Sequence, residues 1–419
     1  MTGIILLAIY VALFVGSMLA VGLAMRGRER HDFTALKTVT FGDESAVRPN
    51  RVASIISVVV IFLLWAAFTG SSLSPIHVPG PFLGETRFTY TAQNEAGETD
   101  DAEVALVVHE QGAAAEAPEI AEGDGFALND AAQIVAYRTE LLRVTGNDGE
   151  GAQVVAVNGQ PIEAGGTVAI EGGSVGLSPR GSLTVTPDRG LQMEPIWLPS
   201  PERVWDALTT IAVEGYQNVP LLEHLGFSLF RVLVGFLLGS LVGIPLGYAM
   251  GLSGWFRGWF DPIVEFMRPV PPLALIPLVI IWFGIWESGK IVLLFLAALW
   301  IMAISARSGV SGVSITKVHA AYSLGASKWQ ILRHVIIPNS LPEIFTGARV
   351  AMGVCWGTVV AAELVAAQKG AGMMIIAASK FQRTDIVIMG IILIGLIGFG
   401  IDILMRKAEN WLVPWKGRG

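Results

Sequence analysis

The sequence predicts an all-α polytopic membrane protein with a small β-rich domain inserted on the outer side. Three observations carry this expectation. The chain of 419 residues is 53% hydrophobic and only 15% charged, with a mean hydropathy of +0.58; soluble domains run at about 25% charged. Seven apolar runs approach the ~20 residues that cross a ~30 Å hydrocarbon core. Between the second and third of them lies a long acidic stretch with alternating β-branched residues.

The predicted spans are 3–25, 52–72, 223–250, 262–286, 289–306, 344–366 and 384–405. No positive charge precedes the first, and Arg26, Arg28 and Arg30 follow it, the reverse of a cleaved signal peptide. It reads as a retained helix that starts outside and ends in the cytoplasm, so 1–51 is an extra helix plus linker. Residues 26–51 carry six Lys and Arg. Alternating crossings then place 26–51, 251–261, 307–343 and 406–419 in the cytoplasm. Arg307, Lys317, Lys328 and Arg333, then Arg406, Lys407, Lys416 and Arg418, fall there, as the positive-inside bias requires. From Leu73 to Leu221 there are 22 acidic residues, six Arg and no Lys. Taking this −16 from the total of −7 leaves the rest at +9, so residues 73–222 are expected outside and the end of the chain inside.

After the span in 52–84, residues 85–194 read as strands and turns: "RFTYTA", "EVALVV", "AQVVAVNG", "GTVAIEGG" and "GSLTVTP" alternate and are bounded by Gly, Asn, Asp and Pro. "QGAAAEAPEIAEGDG" is poor in large apolar residues and reads as a loop. A docking role and a ligand-free insertion both remain open for this domain. It is followed by Ser200-Pro201-Glu202-Arg203, a helix start with proline at the first helical position. Residues 195–419 form the helical core.

The most informative segment is "HAAYSLGASKWQILRHVIIPNSLPE", His319–Glu343, inside the loop 307–343. Ala320, Ala321 and Leu324 share one helix face of small residues, open to close approach. Gly325 stands where a left-handed C′ residue would stop that helix. Ser327 and Gln330 form a capping box that restarts it. Ile331, Leu332, Val335 and Ile336 supply an apolar stripe, and Pro338 is expected to end the second helix. Ser340-Leu341-Pro342-Glu343 reads as a second box opening the next span. The result is a rigid helix–turn–helix on the cytoplasmic face.

This segment resembles the characteristic cytoplasmic loop of bacterial ABC importer permeases, whose pattern is E-A-A, three residues, G, nine residues, I, any residue, L-P. Ala320-Ala321, Gly325, Val335 and Ile337-Pro338 keep the spacing, while His319 stands for Glu, Val335 for Ile and Ile337 for Leu. The resemblance implies a type I importer fold and a coupling helix seated in a cleft of an ATP-binding subunit. His319, Ala320, Ala321, Leu324, Gly325, Ala326, Ser327 and Pro338 are the coupling residues it implies. It further implies a homodimer, a pair of ATPase subunits that hold ATP and Mg, and a periplasmic binding protein. "RPVPPLALIPLVIIWFGI", "AYSLGAS", "PEIFTGARVAMGVCWGTVVAAELVAA" and "LVPWKG" are similar to the taurine, aliphatic sulfonate and nitrate permeases, taurine most of all. The implied cargo is a small anion, taurine or another sulfonate, with nitrate as the alternative. Residues 1–51 and 85–190 have no counterpart in that branch.

Charges inside spans are costly. Arg231, Glu265, Arg268, Arg349, Glu363, Asp385 and Asp402 are the ones to weigh; most lie near a boundary, and Glu363 is the deepest. Glu363 reads either as a helix–helix contact, the reading favoured because a carboxylate is a poor ligand for an anion, or as part of the translocation path. Pro269, Pro271, Pro272 and Pro277 crowd the fourth span and suggest that it lines that path. "GIWESGKI" mimics a phosphate loop but has Ile291 where Ser or Thr is needed. ATP hydrolysis is therefore assigned to a separate subunit, and this chain is expected to be no enzyme. One cysteine and six scattered histidines make no metal pattern. A membrane sensor would need a longer cytoplasmic domain and an intramembrane enzyme paired catalytic groups, and nothing calls for nucleic acid.

Overall fold

The computed structural model describes residues 2–25, 51–113, 115–121 and 123–415. The basic linker 26–50 and Lys416 and Arg418 lie outside the described residues. Two compact units are present, Met1–Pro201 and Glu202–Gly419.

The first unit opens with two apolar helices, α1 (Thr2–Met25) and α2 (Arg51–Phe68). They meet through Tyr10 and Phe68, whose ring centroids are 4.2 Å apart. Among the described residues nine strands follow: β1 (Gly84–Gln93), β2 (Thr99–His109), β3 (Asp130–Val135), β4 (Glu140–Leu142), β5 (Gln153–Val157), β6 (Gln160–Pro161), β7 (Thr167–Ile170), β8 (Gly173–Leu177) and β9 (Leu183–Pro187). They form a five-stranded sheet, β3-β2-β1-β5-β6, and a four-stranded sheet, β4-β9-β8-β7. Alternation does what the sequence promised: on β1, Phe88, Tyr90 and Ala92 point inward while Arg87 and Thr89 face out. Leu106, Ile134, Val157, Val175, Leu183 and Val185 complete the core. Strands β3, β4, β6 and β8 lacked a strong apolar alternation and were not foreseen. Among the described residues of 111–125 there is no helix or strand.

One polar knot sits beside this core. Tyr90 donates its hydroxyl hydrogen toward the Asp148 carboxylate at 3.0 Å, and Asp148 accepts from the Leu128 amide at 2.7 Å. Asp130 lies alongside, and burial, followed by the neighbouring Asp148 charge, pushes its carboxyl up to about 6 from the ordinary 3.8.

The second unit is helical: α3 (Pro201–Glu214), α4 (Leu221–Leu252), α5 (Gly254–Met267), α6 (Ile276–Phe283), α7 (Glu287–Ser311), α8 (Ile315–Ser323), α9 (Lys328–Ile331), α10 (Ile337–Ala366), α11 (Ala371–Lys380) and α12 (Thr384–Leu412). Among the described residues, four helical stretches are long and apolar enough to cross a membrane: α4, α7, Lys328–Leu364 and α12. Apolar stretches Ala8–Ala24 in α1 and Val52–Phe68 in α2 are shorter.

The fourth predicted span, 262–286, is not one helix. α5 and the segment Pro272–Phe283 are long and apolar enough to cross a membrane only as a pair, bent by 94°. The break lies among Pro269, Pro271 and Pro272, each of which lacks an N–H; Pro271 is extended, at ψ 132°, as a residue before proline prefers. Pro277 behaves differently, sitting in the first turn of α6 where a missing N–H costs nothing.

α4 and α7 make the tightest contact in the unit. α4 carries glycine at every fourth position, 235, 239, 243, 247 and 251, a ladder that sequence reasoning overlooked. A methyl added at Gly239 would stand 2.6 Å from the Ala298 Cβ, and one at Gly247 2.4 Å from the Ala303 carbonyl. Gly235 faces Leu294 and Gly251 faces Val310. Both sequences rise together, so the helices are parallel, and 253–286 must carry the chain back along the bundle between them. In lipid, where apolar surface gains nothing by leaving its solvent, such close packing supplies the attraction. α10 closes the core, with Ala348, Ala351, Cys355 and Val359 buried against α4 and α7.

Two outcomes are expected. Gly239→Ala should cost about 1–3 kcal/mol by overpacking, whereas Gly226→Ala, with nothing within 4 Å, should be neutral or gain up to about 1 kcal/mol; thermal unfolding of the purified chain reads both. Because the folded carboxyl of Asp130 holds its proton above the unfolded value, its contribution is full below about 3.8 and is lost as pH rises through about 6. The urea midpoint of the β-rich domain should therefore fall between pH 4.5 and 7, by less in Asp130→Asn.

Candidate functional site

The helix–turn–helix is built as its local chemistry dictates. α8 ends in a complete Schellman motif: the Gly325 amide donates to the Tyr322 carbonyl at 2.9 Å and the Ala326 amide to the Ala321 carbonyl at 3.0 Å. Gly325 takes φ +83°. Ser327 Oγ then accepts from the Gln330 amide while Gln330 Oε1 accepts from the Ser327 amide, the reciprocal capping box. With its turn internally bonded, the hairpin presents its outer face to solvent. His319 and Ala320 are exposed, Ala321 half-buried, and Leu324 is 88% exposed.

Pro338 does not end the second helix. Helical backbone runs unbroken from Lys328 to Leu364, and Leu332–Ile336 takes a π turn. The wider turn makes room for the proline ring against the His334 carbonyl four residues back. Ser340 is likewise inside α10 and caps nothing; its Oγ donates to the Ile337 carbonyl at 2.9 Å. Pro342 offers no N–H to the Pro338 carbonyl, which accepts instead from Trp415 Nε1 at 3.3 Å. Lys317 on α8 donates to Asn339 Oδ1 at 2.8 Å, and Asn339 Nδ2 donates to the Val335 carbonyl at 2.7 Å. The hairpin is thus tied to the π turn by side chains as well as by the backbone.

The prolines divide. Pro269, Pro271 and Pro272 line a cavity of about 210 Å³ with Trp300 and Ile304, while Pro277 does not reach it. Glu363 lies elsewhere, at the other end of α10 and fully buried. Arg231 Nη1 donates to it at 2.6 Å, Ser228 Oγ at 2.8 Å and the Gly372 amide at 2.9 Å. Gly370, at φ +141°, leaves room for the carboxylate, which a Cβ there would strike at 2.4 Å. His224 joins the same group: its Nδ1 accepts from the Gly370 amide at 3.1 Å, so Nε2 donates to the Tyr216 carbonyl at 3.2 Å. Glu363 is therefore a helix–helix contact.

Arg231 has a second carboxylate, Glu287, at 2.5 Å and 2.7 Å, and Lys290 approaches Glu287 at 2.9 Å. Glu287 and Lys290 belong to the string "GIWESGKI", which folds as a glycine turn and the first turn of α7 rather than as a phosphate loop. Sequence reasoning missed their pairing with Arg231; the available signal was their i, i+3 spacing. The other weighed charges are paired near the ends of spans: Glu265 with Arg307 and Arg268, Asp385 with Arg383, and Asp402 with Arg349 and Arg406. Among the described residues no group of three or more His, Cys, Asp or Glu could hold a metal ion.

Residues 235–413 match the family described as the inner membrane component of binding-protein-dependent transport systems. The taurine transport system permease protein TauC of Escherichia coli is 47% identical over 226 residues, covering 54% of this chain and 82% of the relative. The chain belongs to this permease family. SsuC of the same organism, a permease protein assigned to aliphatic sulfonates transport, is 41% identical over 218 residues, 52% of this chain and 81% of its own. Among solved structures, the MetNI methionine ABC transporter in an inward-facing conformation aligns at TM-score 0.40 with 17% identity, covering 51% of this chain and 99% of its own. A nitrate import permease protein of Leptolyngbya laminosa is 32% identical over 194 residues, 46% of this chain and 70% of its own. On the family match and these sequence relatives, the permease is the membrane subunit of an ABC importer in the taurine, sulfonate and nitrate branch, a transport component and not an enzyme.

Removing one partner of a buried pair strands the other charge. Glu363→Gln should cost about 3–5 kcal/mol and lower the thermal midpoint of the purified permease, whereas Glu343→Gln, on an exposed position, should leave it within error.

Proposed function

We propose that the permease works as a homodimer that passes a small anion, taurine or another sulfonate, from a periplasmic binding protein to the cytoplasm. Two ATP-binding subunits dock on the hairpins 315–331. The observation that carries this reading is the hairpin itself: an exposed, internally bonded helix–turn–helix with a small-residue face, set on a chain 47% identical to a taurine permease. Counting α1, α2 and the bent pair as crossings gives seven, with 73–222 periplasmic and 307–343 and the end of the chain cytoplasmic. The charge asymmetry of the sequence supports that orientation. The domain 85–194 and the extra helix in 1–51 are accessory to the core 195–419, which follows the first permease span in 52–84.

In this mechanism closure of the ATPase pair pushes α8 against the π turn, and α10 moves as a lever. Lys317 and Asn339 transmit the push. The cavity behind Pro269, Pro271 and Pro272 lies on the path of the solute.

Gly325→Val should uncouple the complex, since a β-branched residue cannot take the left-handed conformation cheaply. In proteoliposomes with the ATPase and binding protein, taurine uptake per ATP should drop at least about tenfold, equivalent to ~1.4 kcal/mol of coupling. Unchanged stoichiometry would count against docking at this hairpin. Uptake of nitrate in preference to taurine would keep the permease reading and change the cargo.

A further inference from the structure

The cluster around Arg231 contains a mismatch between what is fixed and what is exposed. Arg231 is 1% exposed, Lys290 7% and Glu363 0%. Glu363 is held by Ser228 and the Gly372 amide, and Arg231 by Glu363, the Lys369 carbonyl and the face of Phe227, over which it lies at 5.5 Å, while Lys290 is buried beside them and bonds to Glu287. Two cations against one carboxylate leave this buried part with a net charge of +1. Neutrality comes from Glu287, whose side chain is 48% exposed. Glu287 is also the member on the least constrained backbone. It is the first residue of α7, three positions after Gly284 at φ +73°, and helix ends fray.

The contacts made by Glu287 are those an external anion would want. Its two oxygens meet Arg231 Nε at 2.5 Å and Nη2 at 2.7 Å, the side-on fork that suits carboxylates and other oxyanions. Lys290 Nζ supplies a third donor at 2.9 Å. Lys290 also borders a recess of about 20 Å³ lined by Ile276, Val279, Trp286 and Leu293, apolar surface against which a short carbon chain could rest. That volume takes little more than one water, so entry of a ligand requires Glu287 and the exposed Trp286 to swing outward together.

We infer that Arg231 and Lys290 form a binding site for a small organic monoanion with a sulfonate or carboxylate head, and that Glu287 is a built-in competitor occupying it until such an anion displaces it. The class of ligand follows from the buried net charge of +1, the three convergent donors and the apolar recess. The inference rests on the reading of the permease as an importer of small anions only for the statement that this ligand is the transported solute.

The test is calorimetric titration of the full-length permease in nanodiscs with sodium methanesulfonate at constant ionic strength. Glu287→Gln removes the competing charge and keeps the side chain's size, so affinity should rise about tenfold, equivalent to ~1.4 kcal/mol. Glu287→Asp, with a shorter reach to Arg231, should shift affinity in the same direction and serves if the first variant does not fold. Adding Lys290→Gln to either variant should abolish the gain. Affinities within twofold across the folded set would overturn the site and make the cluster a purely structural ion network. If the unsubstituted complex still imports taurine in that case, the transport reading stands without the site. If methanesulfonate binds as expected but no uptake occurs, the site stands and the transport reading falls.

Discussion

Two parallel helices with almost nothing between their backbones set the geometry of the helical unit. Because α4 meets α7 through glycines, the axes come close enough that Ala298, Ala303 and Ala306 sit in the notches opposite. Parallel packing of two helices in one chain demands a return path, and 253–286 is that path. The proline break then follows from the sequence and need not weaken the bundle, since the return segment packs mainly through Val264 and Val279 rather than through the α4–α7 seam. The same parallel register gathers the starts of α4 and α7 at one end, where Glu223, His224, Ser228, Arg231, Glu287 and Lys290 meet. It leaves the end of α7 to feed the hairpin at the other.

α10 joins these two ends. It emerges from the π turn beside the hairpin and finishes at Glu363 in the ion cluster, with its middle held by Cys355 and Val359 in the shared core. A displacement applied at Lys317 or Asn339 therefore has a continuous helix along which to act. Interdigitated cores respond to such a push by moving as bodies rather than by deforming. The cluster at the far end of α10 is buried on the α4 and α11 sides and reaches solvent at Glu287.

How much of this was legible in the sequence depends on how local the cause is. Gly325, Ser327 and Pro201 act within four residues, and each was placed correctly from neighbours alone. The alternation of β1, β2 and β9 was equally plain. Pro338 was misread because its effect depends on whether the surrounding helix can widen into a π turn, which no local rule decides. Ser340 was misread for the related reason that a helix already running through it leaves nothing to cap. The deep charges were recognised as costly, and Glu363 bonds to Arg231 and Ser228 of α4 and to the Gly372 amide. Its partner lies 132 residues away, so the pairing could not be seen. Glu287 and Lys290 were hidden inside a false phosphate loop. The glycine ladder of α4 was the one long-range feature printed openly in the sequence, as a period of four, and it was overlooked because apolar content alone was used to find the span.

The bond between Trp415 and the Pro338 carbonyl has a temporal side. The two residues are 77 positions apart, and at 5–20 residues per second a ribosome needs about 4–15 s to span that distance. Throughout that interval α10 can already be inserted while the carbonyl at its proline-rich start has to be satisfied by water or lipid headgroups. The joint between hairpin and lever is therefore among the last parts of the backbone to be completed during biogenesis. An indole from the segment just past α12 completes it, so the stiffness of the joint is inherited from a neighbour that arrives late.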